Sequence, residues 1–218
     1  MELKMNCKYF LFLILSLLLL TSHGFSMPQD DPAEAKGATK SHDSLKKLSP
    51  KLLKSLNLSE AEAANTTLGK KVRIYMIELD ALNSYKAGDS AKKLVIDTKE
   101  ISFPVYLDGH LKTALSIRKR EGGWKNASFG SSEIAMVMAI RDAHAQENNI
   151  KEADYSLVRV PGLYLSFLGY YKKGDLYLIP LNEHPELNLV LGEAVPAGDL
   201  YLQMKPLVSK FKNLLTRP

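Results

Sequence analysis

Four places in the chain bring together side chains able to do chemistry. Asp142, His144 and Glu147 form the densest group. On a helix His144 and Glu147, three apart, share a face, which is the spacing of metal ligands in helical bundles. Asp142 falls on another side and no second motif supplies further ligands. The polar half of an amphipathic helix therefore accounts for all three more simply. His110 follows Asp108-Gly109 and reads as part of a turn, and His184, between Glu183 and Pro185, could act only if the fold brought carboxylates to it. Ser131-Ser132 could offer an anion the start of a helix, although helix capping explains both serines. The chain has no G-x-S-x-G elbow, H-E-x-x-H pair, P-loop or G-x-G-x-x-G. No catalytic residue, metal site or cofactor is assigned, and the reading leans away from an enzyme.

The aromatic residues between Tyr155 and Ile179 are more informative. If Lys173-Gly174 is a two-residue turn, Tyr170 faces Tyr177 and Leu168 faces Ile179; a Pro161-Gly162 turn likewise sets Arg159 opposite Tyr164. One face of the meander then carries Val158, Val160, Leu163, Leu165, Phe167, Leu176 and Leu178, and is the core face. The other carries Tyr155, Arg159, Tyr164, Leu168, Tyr170, Tyr177 and Ile179. Tyr and Arg are enriched where proteins meet partners, because they bury large rigid area and keep a polar tip. The candidate binding residues are Tyr164, Tyr170, Tyr177 and Arg159, with Trp124 at a nearby hairpin tip. The competing reading is that helices cover this second face too.

The elements that must position these residues follow from periodicity. Ser49-Pro50 opens a short helix with Leu52, Leu53 and Leu56 as its stripe, and Ser59 with Glu62 forms a capping box for a second. Val72 to Met76 and Ile101 to Leu107 alternate as strands, the latter closed by Asp108-Gly109. Leu111 to Arg120 and Trp124 to Phe129 form a hairpin, for which a Glu121-Gly122-Gly123 loop gives the better apolar pairs and puts Arg120 opposite Trp124. The spacing predicts a helix over Glu133 to Gln146, apolar on every side in its first half and so covered on its outer side as well. Leu200 to Met204 reads as a strand, and Pro206 as the start of a last helix with Leu207, Val208, Phe211, Leu214 and Leu215 on one face. The fold class is α+β: a largely antiparallel sheet, hairpin plus three-stranded meander, packed against a central and a C-terminal helix.

Composition sets the frame. The 218 residues include 45% hydrophobic and 24% charged residues and carry a net charge of +5, which excludes collagen-like, low-complexity and disulfide-rich scaffolds. Residues 1–26, with Lys4, Lys8, an apolar run from Tyr9 to Leu20 and the small residues Ser22, Gly24 and Ser26, read as a secretory signal peptide. Residues 27–44 read as a flexible leader and 45–218 as one domain, with a helical element over 45–68. The one cysteine, Cys7, leaves with the signal; a cysteine-free mature chain favours a bacterial source, whereas the tripeptides at Asn57, Asn65 and Asn126 match glycosylation acceptors. The basic clusters are short, so nucleic acid is set aside, and no stable membrane anchor is expected after cleavage. The expectation is an exported, secreted or periplasmic, non-enzymatic protein that engages a protein or small ligand through the aromatic face. Its alternatives are an exported hydrolase using loop His and acidic residues, and a homodimer that buries the same face.

Overall fold

The structure, a computed structural model, describes residues 31–130, 132–184 and 186–215. The signal peptide expected over residues 1–26 and Ser131 lie outside the described residues. The chain divides after Asp31, and the unit that begins at Pro32 carries the features below.

Nine strands make one large, mostly antiparallel sheet. They are β1 (Thr67–Leu68), β2 (Val72–Met76), β3 (Ile96–Leu107), β4 (His110–Arg120), β5 (Gly123–Phe129), β6 (Tyr155–Val160), β7 (Leu165–Lys172), β8 (Asp175–Pro180) and β9 (Val195–Pro196). The order is β5-β4-β3-β2-β6-β7-β8-β9, with β1 also on β3, and β2 against β6 is the parallel pair. A parallel pair needs a long crossover, and the chain between β2 and β6 includes the hairpin β3–β4–β5 and a helix.

Local chemistry sets two of the tight turns. Asp108 and Gly109, and again Lys173 and Gly174, all have positive φ, the requirement of a two-residue hairpin that matches strand twist. Leu107 accordingly pairs with His110, and Lys172 with Asp175, so that Tyr170 faces Tyr177 and Leu168 faces Ile179. Two other turns depart from expectation. Arg120 pairs with Gly123, and Lys119 rather than Arg120 lies opposite Trp124; a bulge between Ser116 and Ile117 then restores Leu115 opposite Phe129. Pro161-Gly162 is not a two-residue turn. Residues Pro161–Leu163 form a turn of 3-10 helix, Tyr164 takes a left-handed conformation, and Arg159 faces Ser166.

Among the described residues six α-helices cover the sheet: α1 (Pro32–Leu45), α2 (Pro50–Ser55), α3 (Glu60–Ala64), α4 (Leu79–Ser84), α5 (Ser132–Asn148) and α6 (Ala197–Leu215). The capping box of α3 is present, with Ser59 and Glu62 bonding each other's backbone N–H groups. Cores form on both sides. Leu200, Tyr201, Met204, Leu207 and Val208 of α6 pack on Val158, Val160, Phe167 and Leu178. Ile134, Val137, Met138 and Ala145 of α5 pack on the opposite side, against Ile74, Leu157, Leu168 and Ile179. Helices α1 to α3 close over Ile101, Phe103, Leu115 and Ile117.

Three expectations about helices are corrected. The leader is helical from Pro32, because Glu34, Gly37, Ala38, Ser41 and Leu45 are buried against the sheet; its order comes from long-range contacts rather than from composition. Leu200 to Met204 belongs to α6 and not to a strand, and Pro206 lies inside that helix. The residue whose carbonyl loses its donor there is Leu202, and both Leu202 and Pro206 are exposed. The outer side of α5 is bare, with Ala135, Met136 and Ala139 exposed.

Candidate functional site

The second face of the meander is built as cross-strand rows. Tyr155, Tyr170 and Tyr177 form one row and Leu157, Leu168 and Ile179 the next; Arg159 and Ser166 follow near the turn. The phenol rings of Tyr155 and Tyr170 lie 5.4 Å apart and those of Tyr170 and Tyr177 5.6 Å, within the range of favourable aromatic pairs.

Helix α5 closes this face at both its ends. Near its start Glu133 accepts from Ser166 Oγ at 2.5 Å and pairs with Arg159. Three turns later His144 Nδ1 meets the Tyr155 hydroxyl at 2.7 Å, and its ring lies 4.9 Å from that of Tyr170. Burial pushes Tyr155 up to about 12, with Tyr170 and Asp154 adding to the shift. Burial likewise lowers His144, against the opposing charge of Glu147. The phenol is therefore protonated and the imidazole neutral around pH 7, and the O–H donates where Nδ1 carries no proton. This is a packed hydrogen bond between neutral groups.

The expected open face is therefore corrected at its centre. Tyr155 and Tyr170 are each only 3% exposed beneath α5, and Tyr177 is half-buried at the margin. Arg159 is half-buried and its guanidinium is committed to Glu133. Trp124 does not adjoin the meander: it lies on β5, four strands from β6, and packs with Ile117 and Leu115 beneath α1.

Tyr164 is the exception. It is 86% exposed at the tip between β6 and β7, with φ 54° and ψ 32°. A left-handed conformation costs a non-glycine residue roughly 1–2 kcal/mol, so something must hold it. Asn182 does so from both sides: its Nδ2 donates to the Tyr164 carbonyl at 3.1 Å, and its Oδ1 accepts from the Ser166 N–H at 3.0 Å. The Tyr164 N–H donates to the Pro161 carbonyl at 3.1 Å, and Gly162 fits against Leu79 of α4 so closely that a Cβ there would clash. Neither Asn182 nor Glu133 carried a sequence signal, since each acts on residues more than fifteen positions away.

The segments that meet at Tyr164 are acidic. Glu78 and Asp80 flank Leu79, Glu183 follows Asn182, and Glu133 binds Ser166 and Arg159. Glu78, Asp80 and Glu183 are exposed. Two further exposed apolar residues, Val190 and Leu191, precede Gly192, whose N–H reaches the Pro180 carbonyl two residues before Asn182.

The residues considered for acid–base or metal chemistry are held apart by other tasks. His144 is bound to Tyr155, Asp142 pairs with Arg141, His110 is the first residue of β4, paired with Leu107, and His184 bridges Leu187 in a loop. Among the described residues no group of three or more His, Cys, Asp or Glu is placed to hold a metal ion. An open cleft of about 260 Å³ beside the start of α5, lined by Leu56, Leu111, Lys112, Thr113 and Ala135 among others, contains none of these four residues. Among the described residues no helix is long and apolar enough to cross a membrane. Comparison with protein-family models, with curated proteins and with solved structures finds no match.

Proposed function

We propose that this is an exported, non-enzymatic binding protein, secreted or periplasmic, that engages a protein partner through Tyr164. The observation that carries the reading is a large aromatic side chain standing 86% in solvent on a backbone pinned in a strained conformation. Exposure alone is common, but strain is retained only where the surroundings impose it, and such outliers cluster at functional positions. A pre-ordered backbone also loses little entropy on binding, which is what an anchor residue requires. The exposed carboxylates of Glu78 and Glu183 favour a partner segment bearing Lys or Arg beside an apolar residue, since a cation can also sit on the phenol face. The meander helps by holding the turn: Arg159 and Ser166 beside it are tied to Glu133, whereas Tyr170 and Tyr177 lie toward the other end of the strands and do not touch the partner.

The test compares the full chain with Tyr164→Ala. Short fluorescent peptides pairing Lys or Arg with Leu or Val are titrated by anisotropy against sequence-matched peptides carrying Glu. Binding confined to the cationic peptides, and lost in Tyr164→Ala at unchanged melting temperature, supports the reading. Equal binding by the variant refutes it. A dimer in solution that dissociates in Tyr164→Ala would assign the anchor to a second copy instead. Export is tested by N-terminal sequencing of the protein outside the cytoplasm, which should begin just after Ser26.

A further inference from the structure

We infer that α1 is a separable strap, held on the sheet by an ionic latch rather than by apolar burial, and that its release uncovers an apolar floor around Trp124. The inner face of α1 consists of Glu34, Gly37, Ala38, Ser41 and Leu45, and Leu45 alone is a large apolar side chain. Helix α6, by contrast, buries Leu200, Tyr201, Met204, Leu207 and Val208. Ordering fourteen residues opposes attachment, and one leucine with two small residues offsets little of it.

Specific polar contacts supply the rest. The buried carboxylate of Glu34 accepts from Lys71 Nζ at 2.7 Å and from Arg73 Nη2 at 2.6 Å, tying the first turn of α1 to the start of β2. Farther along, His42 Nε2 meets Thr66 Oγ1 at 2.8 Å. Between these two ties Gly37 lies so close to the sheet that a Cβ would come within 2.5 Å of Trp124 Cβ. Charge-assisted bonds are directional and are lost together when one group is removed, whereas apolar burial declines gradually. An element so attached belongs to the low-stability end of the molecule and opens before the sheet does. Beneath it lie Ile101, Phe103, Leu115 and Ile117, with Trp124 and Phe129 packed alongside.

Trp124 is the sole tryptophan of the chain and reports directly on the strap. The experiment uses the full chain, Glu34→Gln to weaken the latch, Gly37→Ala to push the helix off without touching it, and Glu186→Gln, which removes an exposed pair with Lys210, as control. Tryptic cleavage after Lys36 and Lys40 is timed, Trp124 emission recorded, and melting followed by far-ultraviolet circular dichroism. Cleavage within α1 should accelerate about tenfold or more in Glu34→Gln, the effect of losing one hydrogen bond to a charged group, and should also accelerate in Gly37→Ala, where the added Cβ clashes with Trp124. Trp124 emission should shift to the red while the main melting transition stays in place, and the control should match the unmodified chain. The inference is overturned if cleavage and emission are unchanged in both variants, or if they change only together with global unfolding.

Discussion

Replacing Tyr170 and Tyr164 by alanine should have opposite consequences, although both are tyrosines of the same meander. Tyr170 is 3% exposed and its ring touches three others, those of Tyr155, Tyr177 and His144, at 5.4, 5.6 and 4.9 Å. Its removal leaves a cavity that α5 cannot fill without losing the His144–Tyr155 bond, so the cost should be about 3–5 kcal/mol, the range for a large buried aromatic. For a unit of this size that lowers the melting temperature by roughly 6–20 °C. Tyr164 makes no such contacts, and Tyr164→Ala keeps the left-handed backbone demand, so its cost should fall within about 0.5 kcal/mol. Tyr164→Gly removes the conformational penalty, offset in part by the extra freedom of glycine in the unfolded chain, and should be neutral or stabilising by up to about 1 kcal/mol. Urea titrations followed by circular dichroism give all three values on one scale. A Tyr170→Ala loss below 1 kcal/mol would mean that α5 does not seal the tyrosine row, and the division of the meander into a buried support and an exposed anchor would fail.

Three other predictions bear on the same architecture. Asn182→Ala should free the tip at a stability cost of about 1–2 kcal/mol, the value of two hydrogen bonds to backbone, and should raise the amide exchange of Tyr164 and Ser166. Tyr155, raised by burial from 10 to about 12, is protonated in the fold where the unfolded chain would already ionise. Its contribution is complete below pH 10 and is lost as pH rises toward 12, so Tyr155→Phe should flatten the alkaline limb of the stability profile. Pro206→Ala should stabilise α6 by up to about 3 kcal/mol, seen as a higher urea midpoint; a loss would show that the ring packs where its exposure says it does not.

Much of the framework could be read from short stretches because its causes are local. Gly109 and Gly174 adopt positive φ without steric cost, and the two-residue turns they close set the register of the strands on either side. The Ser59–Glu62 capping box closes within four residues. Leu200 to Met204 misled because a short apolar run suits strand or helix alike; counting on through Leu207 and Val208 brings out the spacing of one, four and seven that only a helix produces. The Pro161–Tyr164 turn was hidden for another reason: its conformation is stabilised by Asn182, eighteen residues away.

The alternation along β6, β7 and β8 determined by itself which side chains share a side of the sheet, since that follows from the pleat. It did not determine which side meets water, because both sides are apolar and the period is blind to what lies above. Only the tertiary structure decided that, by bringing Glu133 and His144 of α5 across the tyrosine row and leaving Tyr164 beyond their reach. The same holds at the other end of the chain. Nothing local in Pro32–Leu45 demands a helix on a sheet, and it is placed there by a carboxylate that finds its two cations nearly forty residues later.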